Sequence, residues 1–99
     1  MSYRLVIKPL AETDIVESFT WYNQEREGLG DIFLDQLERS LEFIEMNPGQ
    51  YQIRYKEVRM VKVNHFPICL HYTIEENTVF IHAVLGTSRD PQIWKERIP

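Results

Sequence analysis

The chain has 99 residues, 43% of them hydrophobic and 26% charged, with a formal net charge of −4. That describes one globular domain spanning residues 1–99, able to bury roughly 60–65% of its unfolded surface in a two-layer core. No apolar run reaches membrane-spanning length, the N-terminus is not signal-like, and the one cysteine, Cys69, rules out internal disulfides. A cytoplasmic protein with no membrane partner is expected.

The net charge conceals an asymmetry. Between Glu12 and Glu45 stand ten acidic and two basic residues, a balance of −8, while the rest of the chain carries nine basic and five acidic residues, +4. An acidic total therefore does not exclude a basic surface elsewhere.

Tyr3 to Lys8 reads as a first strand. Pro9 suits a helix entrance, and Glu12 and Asp14 suit the positive end of the helix dipole. Ile15, Phe19 and Tyr22, with Val16 beside them, recur at helical spacing until Glu27-Gly28-Leu29-Gly30 turns the chain. A second helix is predicted from about Asp31 to Met46. Phe33, Leu34, Leu37, Leu41 and Ile44 line one side of it, and Asn47-Pro48-Gly49 stops it. The two form a helical hairpin laid across a sheet. Residues 50–56 have no clear phase.

Three β-rich segments follow. Val58 to Val63 pairs with the Ile68 strand across the Asn64–Pro67 turn. Ile68, Leu70, Tyr72 and Ile74 alternate with Cys69, His71 and Thr73; Val79, Ile81, Ala83 and Leu85 alternate with Phe80, His82 and Val84. The short Glu75-Glu76-Asn77 link makes an antiparallel hairpin. Keeping both apolar sets on one face puts Glu75 opposite Thr78, Tyr72 opposite Ile81, Leu70 opposite Ala83 and His71 opposite His82, unless a bulge intervenes. Asp90 caps a short last helix with Pro91 in its first turn, carrying Trp94, Lys95 and Arg97.

Several marks recur in order along nearly the whole chain: Ala11, Asp14-Ile15 and Tyr22; Asn47-Pro48; Arg59; Phe66-Pro67-Ile68 with Tyr72-Thr73-Ile74; and Val84 to Pro91 with Trp94 and Arg97. Together they resemble the RelE/ParE superfamily of toxins from type II toxin–antitoxin systems. The resemblance implies an α+β, two-layer fold: a strand, a helix hairpin, a three-stranded antiparallel meander (β-α-α-β-β-β) and a short C-terminal helix. It also implies a cognate antitoxin whose C-terminal segment wraps the toxin in a hetero-oligomer, and no cofactor. RelE-like members cleave messenger RNA on the ribosome; ParE-like members poison DNA gyrase. The motifs sit closer to the ParE side and the broad plasmid stabilization group. Gly86 stands where a histidine is frequent, the chain is acidic, and the aromatic after Arg89 is Trp94, whose indole does no acid–base work at a phosphate. A ParE-like toxin with gyrase as its candidate target is the main expectation. The alternatives are a ribosome-dependent endoribonuclease and an attenuated toxin-derived module that only binds antitoxin.

RNA cleavage needs a base, an acid and cations around the phosphate. If the chain is an RNase, Arg89, Lys62, His71 and His82 are the catalytic candidates, with Arg54, Lys56 and Arg59 as further cations. The competing expectation pairs Arg59 with a helix carboxylate such as Asp14 and makes Arg89 a brace for the Asp90-Pro91 corner. Cys69, His71 and His82 share one face, but no fourth ligand is placed nearby, so no metal is expected. That outer face, with Val58, Met60, Cys69, Phe80 and Val84 among Lys62, Thr73 and the histidines, is amphipathic enough to take an antitoxin segment. The binding set is Val58, Met60, Lys62, Cys69, His71, Phe80, His82, Arg89 and Trp94. The other way to cover the face is for the last helix to fold back over it, with Trp94 filling the gap.

Overall fold

A computed structural model describes residues 3–98. Its elements are β1 (Arg4–Ile7), α1 (Pro9–Glu25), α2 (Leu29–Met46), β2 (Ile53–Tyr55), β3 (Val58–Lys62), β4 (Ile68–Glu75), β5 (Thr78–Gly86) and α3 (Pro91–Lys95). A single 3₁₀ turn, Pro48–Gln50, follows α2. The five strands form one sheet in the order β1-β5-β4-β3-β2. β1 lies parallel to β5 and every other pair is antiparallel. The helix hairpin between β1 and the meander covers one face, so the fold is α+β, as the sequence implies.

The helix hairpin is set by two glycines with different tasks. Gly28 takes φ 87°, the left-handed turn that reverses the chain between α1 and α2. Gly30 lies where the helices cross. A Cβ built there would stand 2.7 Å from the Phe19 carbonyl oxygen and 2.8 Å from the Asn23 side chain. Asn23 uses that closeness: its Oδ1 accepts the Gly30 N–H at 2.7 Å and so serves one of the otherwise unpaired donors at the start of α2.

The core joins Ala11, Phe33, Leu37 and Ile44 of the helices to Val61, Leu70, Tyr72, Val79 and Ile81 of the sheet. Tyr22, Phe33 and Phe66 meet ring to ring at centroid distances of 4.9–5.5 Å. Val16 and Leu34, expected among the apolar stripes, instead face solvent at 62% and 36% exposure. Each is one residue, and hence about 100° of helix, from its buried neighbour's line.

Two features of the sheet depart from the sequence reading. Ile53–Tyr55 is a strand, pairing with β3, where no phase was legible; three residues are too few for alternation to show. The β4–β5 hairpin begins in the expected register, with Glu75 opposite Thr78 and Tyr72 opposite Ile81. A bulge then intervenes. His71 pairs with Ala83 rather than His82, and Leu70 with Val84 rather than Ala83. The extra residue reverses parity, so Val84 turns into the core beside the helices, while Leu85, expected in the core, pairs with Cys69 on the outer side.

Candidate functional site

The bulge lies just beyond the end of β1, where β5 loses its parallel neighbour. Ile81 is the last residue of β5 paired with β1, and its carbonyl accepts the Lys8 N–H. From there the edge of β5 is held by side chains. Asp14 of α1 is 5% exposed and accepts the Val84 N–H at 3.0 Å. Arg97, following α3, donates to the His82 carbonyl at 3.0 Å. The same two side chains meet in a bidentate pair, Nη1 to Oδ2 and Nη2 to Oδ1, both at 2.9 Å. This charge-assisted hydrogen bonding raises the Arg97 pKa above its ordinary value. Asp14 is therefore not a dipole partner in a first turn but one half of a buried pair spanning 83 residues of sequence.

On the outer face of the sheet, Trp94 of α3 covers the part around His71 and Tyr55. Asp90 accepts the Gln92 N–H and Pro91 opens the helix, as the sequence indicates. The Trp94 ring lies 5.2 Å from His71 and 4.7 Å from Tyr55. Lys56 Nζ donates to the carbonyl of Lys95, the last residue of α3, and to that of Ile98 beyond it. His71 is 1% exposed, and its Nδ1 shares a 2.9 Å hydrogen bond with the Tyr55 hydroxyl. Burial, aided by the Arg97 charge, pushes the His71 pKa down to about 4. Burial also pushes the Tyr55 phenol up to about 12.

The residues singled out from the sequence fall into separate environments. Val58 and His71 are buried on the outer face, where α3 lies. Met60, Cys69 and Phe80 are half-buried, and Lys8 sits 5.6 Å above the Phe80 ring. Burial pushes the Cys69 thiol up, against the opposing charges of Lys62 and Arg54. His82 is held through Nε2 at 2.8 Å from the Thr73 hydroxyl, and burial lowers its pKa. Lys62 is exposed at the β3 edge, where it helps line a groove with Arg39 and Phe43 of α2. Arg59 is structural but does not pair with Asp14; it donates to the carbonyls of Tyr51 and Gly49. Arg89 makes no side-chain hydrogen bond or ion pair among the described residues, so it is no brace for the corner after it. It lines a groove of about 490 Å³ between α1 and the end of β5.

That groove is the concavity sequence reasoning missed. Glu17, Ser18, Trp21 and Tyr22 form its helical wall, and Ile68, Val84 and Leu85 contribute its apolar surface. Trp21 is 56% exposed there. One signal was available: Asp14, Glu17, Ser18 and Trp21 recur at three- and four-residue spacing, one stripe of α1 beside its buried one. Among the described residues no group of three or more His, Cys, Asp or Glu side chains is placed to hold a metal ion. Among them, too, no helix is long and apolar enough to cross a membrane.

The family model described as ParE toxin of type II toxin-antitoxin system, parDE, matches residues 5–91. No curated protein matches the chain. Among solved structures, a chain of the chromosomal ParDE toxin–antitoxin system from P. aeruginosa is similar with a TM-score of 0.76 at 11% identity, covering 86% of this chain and 96% of that one. A free double arginine-to-alanine mutant of E. coli toxin RelE gives 0.73 at 17% identity, covering 99% and 96%. A chain of the YoeB-YefM complex from Staphylococcus aureus gives 0.55 at 16% identity, covering 86% and 97%. At these identities the likeness is one of fold.

Proposed function

We propose that this chain, which belongs to the ParE toxin family of type II toxin–antitoxin systems, acts by binding a host target rather than by cleaving RNA, and is neutralised by a cognate antitoxin. The observation that carries the choice is the separation of the would-be catalytic groups. His71 is buried against Trp94, with a pKa near 4. His82 is tied to Thr73. Arg89 lines a groove against α1, and Lys62 lines a different one against α2. A general acid–base pair must reach one phosphate together, and these groups share no such point. DNA gyrase is the target class we assign, from the family. The structure of similar fold from P. aeruginosa comes from a chromosomal ParDE toxin–antitoxin system, which supports an antitoxin as the first partner.

The test is two assays on the purified chain. In a cell-free bacterial translation reaction mapped by primer extension, the message is expected to stay intact. In a gyrase supercoiling reaction, inhibition is expected, relieved by adding the protein encoded beside it. New 5′ ends inside translated codons, appearing only with ribosomes, would overturn the binding reading in favour of an endoribonuclease.

A further inference from the structure

Helix α2 carries two lengthwise stripes. Gly30, Phe33, Leu37, Ser40 and Ile44 are its buried residues. One residue ahead of each, and so about 100° round the helix, stand Leu29, Ile32, Gln36, Arg39 and Phe43, with Met46 closing the row. Leu29 is half-buried at the edge of the core. Ile32, Phe43 and Met46 are 47%, 60% and 70% exposed. A helix lying on a core needs one apolar stripe, and this row falls outside it. Beside the row, Gln36, Arg39 and Phe43 face Tyr51, Lys62 and Asn64 across an open groove of about 420 Å³. The row steps by three, four, three, four and three residues, the spacing of the a and d positions in a two-stranded helical seam. From either end it reads apolar, apolar, polar, polar, apolar, apolar.

We infer that a second copy of this chain packs on the row, the two α2 helices antiparallel about a two-fold axis midway between Gln36 and Arg39. A row that reads the same in both directions is its own complement under such an axis. Leu29 then meets Met46 of the second copy, Ile32 its Phe43 and Gln36 its Arg39, and the axis repeats each contact. Charge excludes the parallel arrangement, which would set Arg39 on Arg39. Antiparallel, the guanidinium faces the Gln36 amide oxygen of the other copy, beside that copy's Asp35 carboxylate. Within one chain Arg39 uses only its Nε, on Asp35 at 3.2 Å. Its Nη groups and the Gln36 side chain have no hydrogen-bond partner among the described residues. The other acids of α2, Asp31, Glu38, Glu42 and Glu45, stand off the row. The apolar layers at both ends hold the seam, and the polar layers at its centre fix the register. A seam along the 18 residues of α2 is about 27 Å long, a small interface, and each copy has a net charge of −4. Association is therefore a concentration-dependent equilibrium.

The test is sedimentation equilibrium of the purified full-length chain over a series of concentrations, where a monomer–dimer equilibrium is expected. Ile32→Glu and Phe43→Glu change exposed positions, so both should keep the fold, checked by circular dichroism and urea unfolding. Each should weaken dimerisation at least tenfold. Gln36→Lys sets a cation against Arg39 of the other copy and should weaken it as well. Adding Arg39→Glu to Gln36→Lys should restore it, because Lys then faces Glu across both central layers. In a parallel pair the same double change would set like charges together and restore nothing. A chain that stays monomeric at every concentration overturns the proposal. A dimer unaffected by Ile32→Glu and Phe43→Glu also overturns it, since that dimer uses another face. A dimer weakened by Gln36→Lys but not restored by the second change overturns the antiparallel arrangement.

Discussion

His71 shows what enclosure does to a titratable side chain. Among its partners are the Tyr55 hydroxyl, the Trp94 ring and the more distant charges of Arg97, Asp14 and His82. Its folded pKa, about 4, lies below the ordinary 6.5. As pH falls through 6.5 the unfolded chain takes up the proton first, so stability is lost between about 6.5 and 4 and no further below that. The whole effect is about 3 kcal/mol, from roughly 1.4 kcal/mol per pKa unit. His71→Gln, which keeps a hydrogen-bonding side chain but does not titrate, should flatten that slope in urea unfolding measured from pH 7 to 4.5. Trp94→Ala should let water reach the ring and raise its pKa toward 6.5, read from the histidine ring-proton NMR titration. An unchanged midpoint would mean that Trp94 is not the seal.

At the scale of elements, the crossing of α1 and α2 depends on a missing side chain. With no Cβ at Gly30, the Phe19 carbonyl approaches the backbone of α2 and Asn23 reaches its N–H. Gly30→Ala must push two helices apart against a backbone oxygen, not a mobile side-chain tip. It should cost about 2 kcal/mol in chemical unfolding, as overpacking of a tight contact does. Asn23→Ala removes only the capping acceptor and should cost about 1 kcal/mol. The smaller loss from Asn23→Ala would separate the contact from the cap. β5 depends on an insertion instead. The bulge turns Val84 inward and frees the edge that Asp14 and Arg97 then hold.

Across the whole molecule, Asp14 and Arg97 tie the helical layer to the C-terminal segment, meeting at the edge of the sheet between them. Their side chains are 5% and 16% exposed, so removing one partner strands a charge in a poorly solvated place. Asp14→Asn should cost about 3 kcal/mol. A double-mutant cycle with Arg97→Gln should show strong coupling, since the two act as one unit. Additive losses would mean that each serves only its own backbone partner. Loss of the pair should also loosen α3, seen as faster hydrogen exchange at Glu96 and Arg97 N–H, which close its last turn.

Periodicity and turn chemistry sufficed for the elements and their order. Phe33, Leu37 and Ile44 at helical spacing, alternation through Ile68–Ile74, and Asp90-Pro91 as a helix start are local patterns that the three-dimensional structure keeps. The family was legible for the same reason, because its marks are spread along those elements. Tertiary structure alone decided the bulge. It arises where β1 ends beside β5, and a residue inserted there leaves no trace in local alternation. That insertion separates His71 from His82, aims Val84 at Asp14 and leaves the edge and groove beside α1. Asp14's partner was hidden for a related reason: an ion pair joining positions 83 apart is set by where the layers meet, which spacing along the chain does not encode.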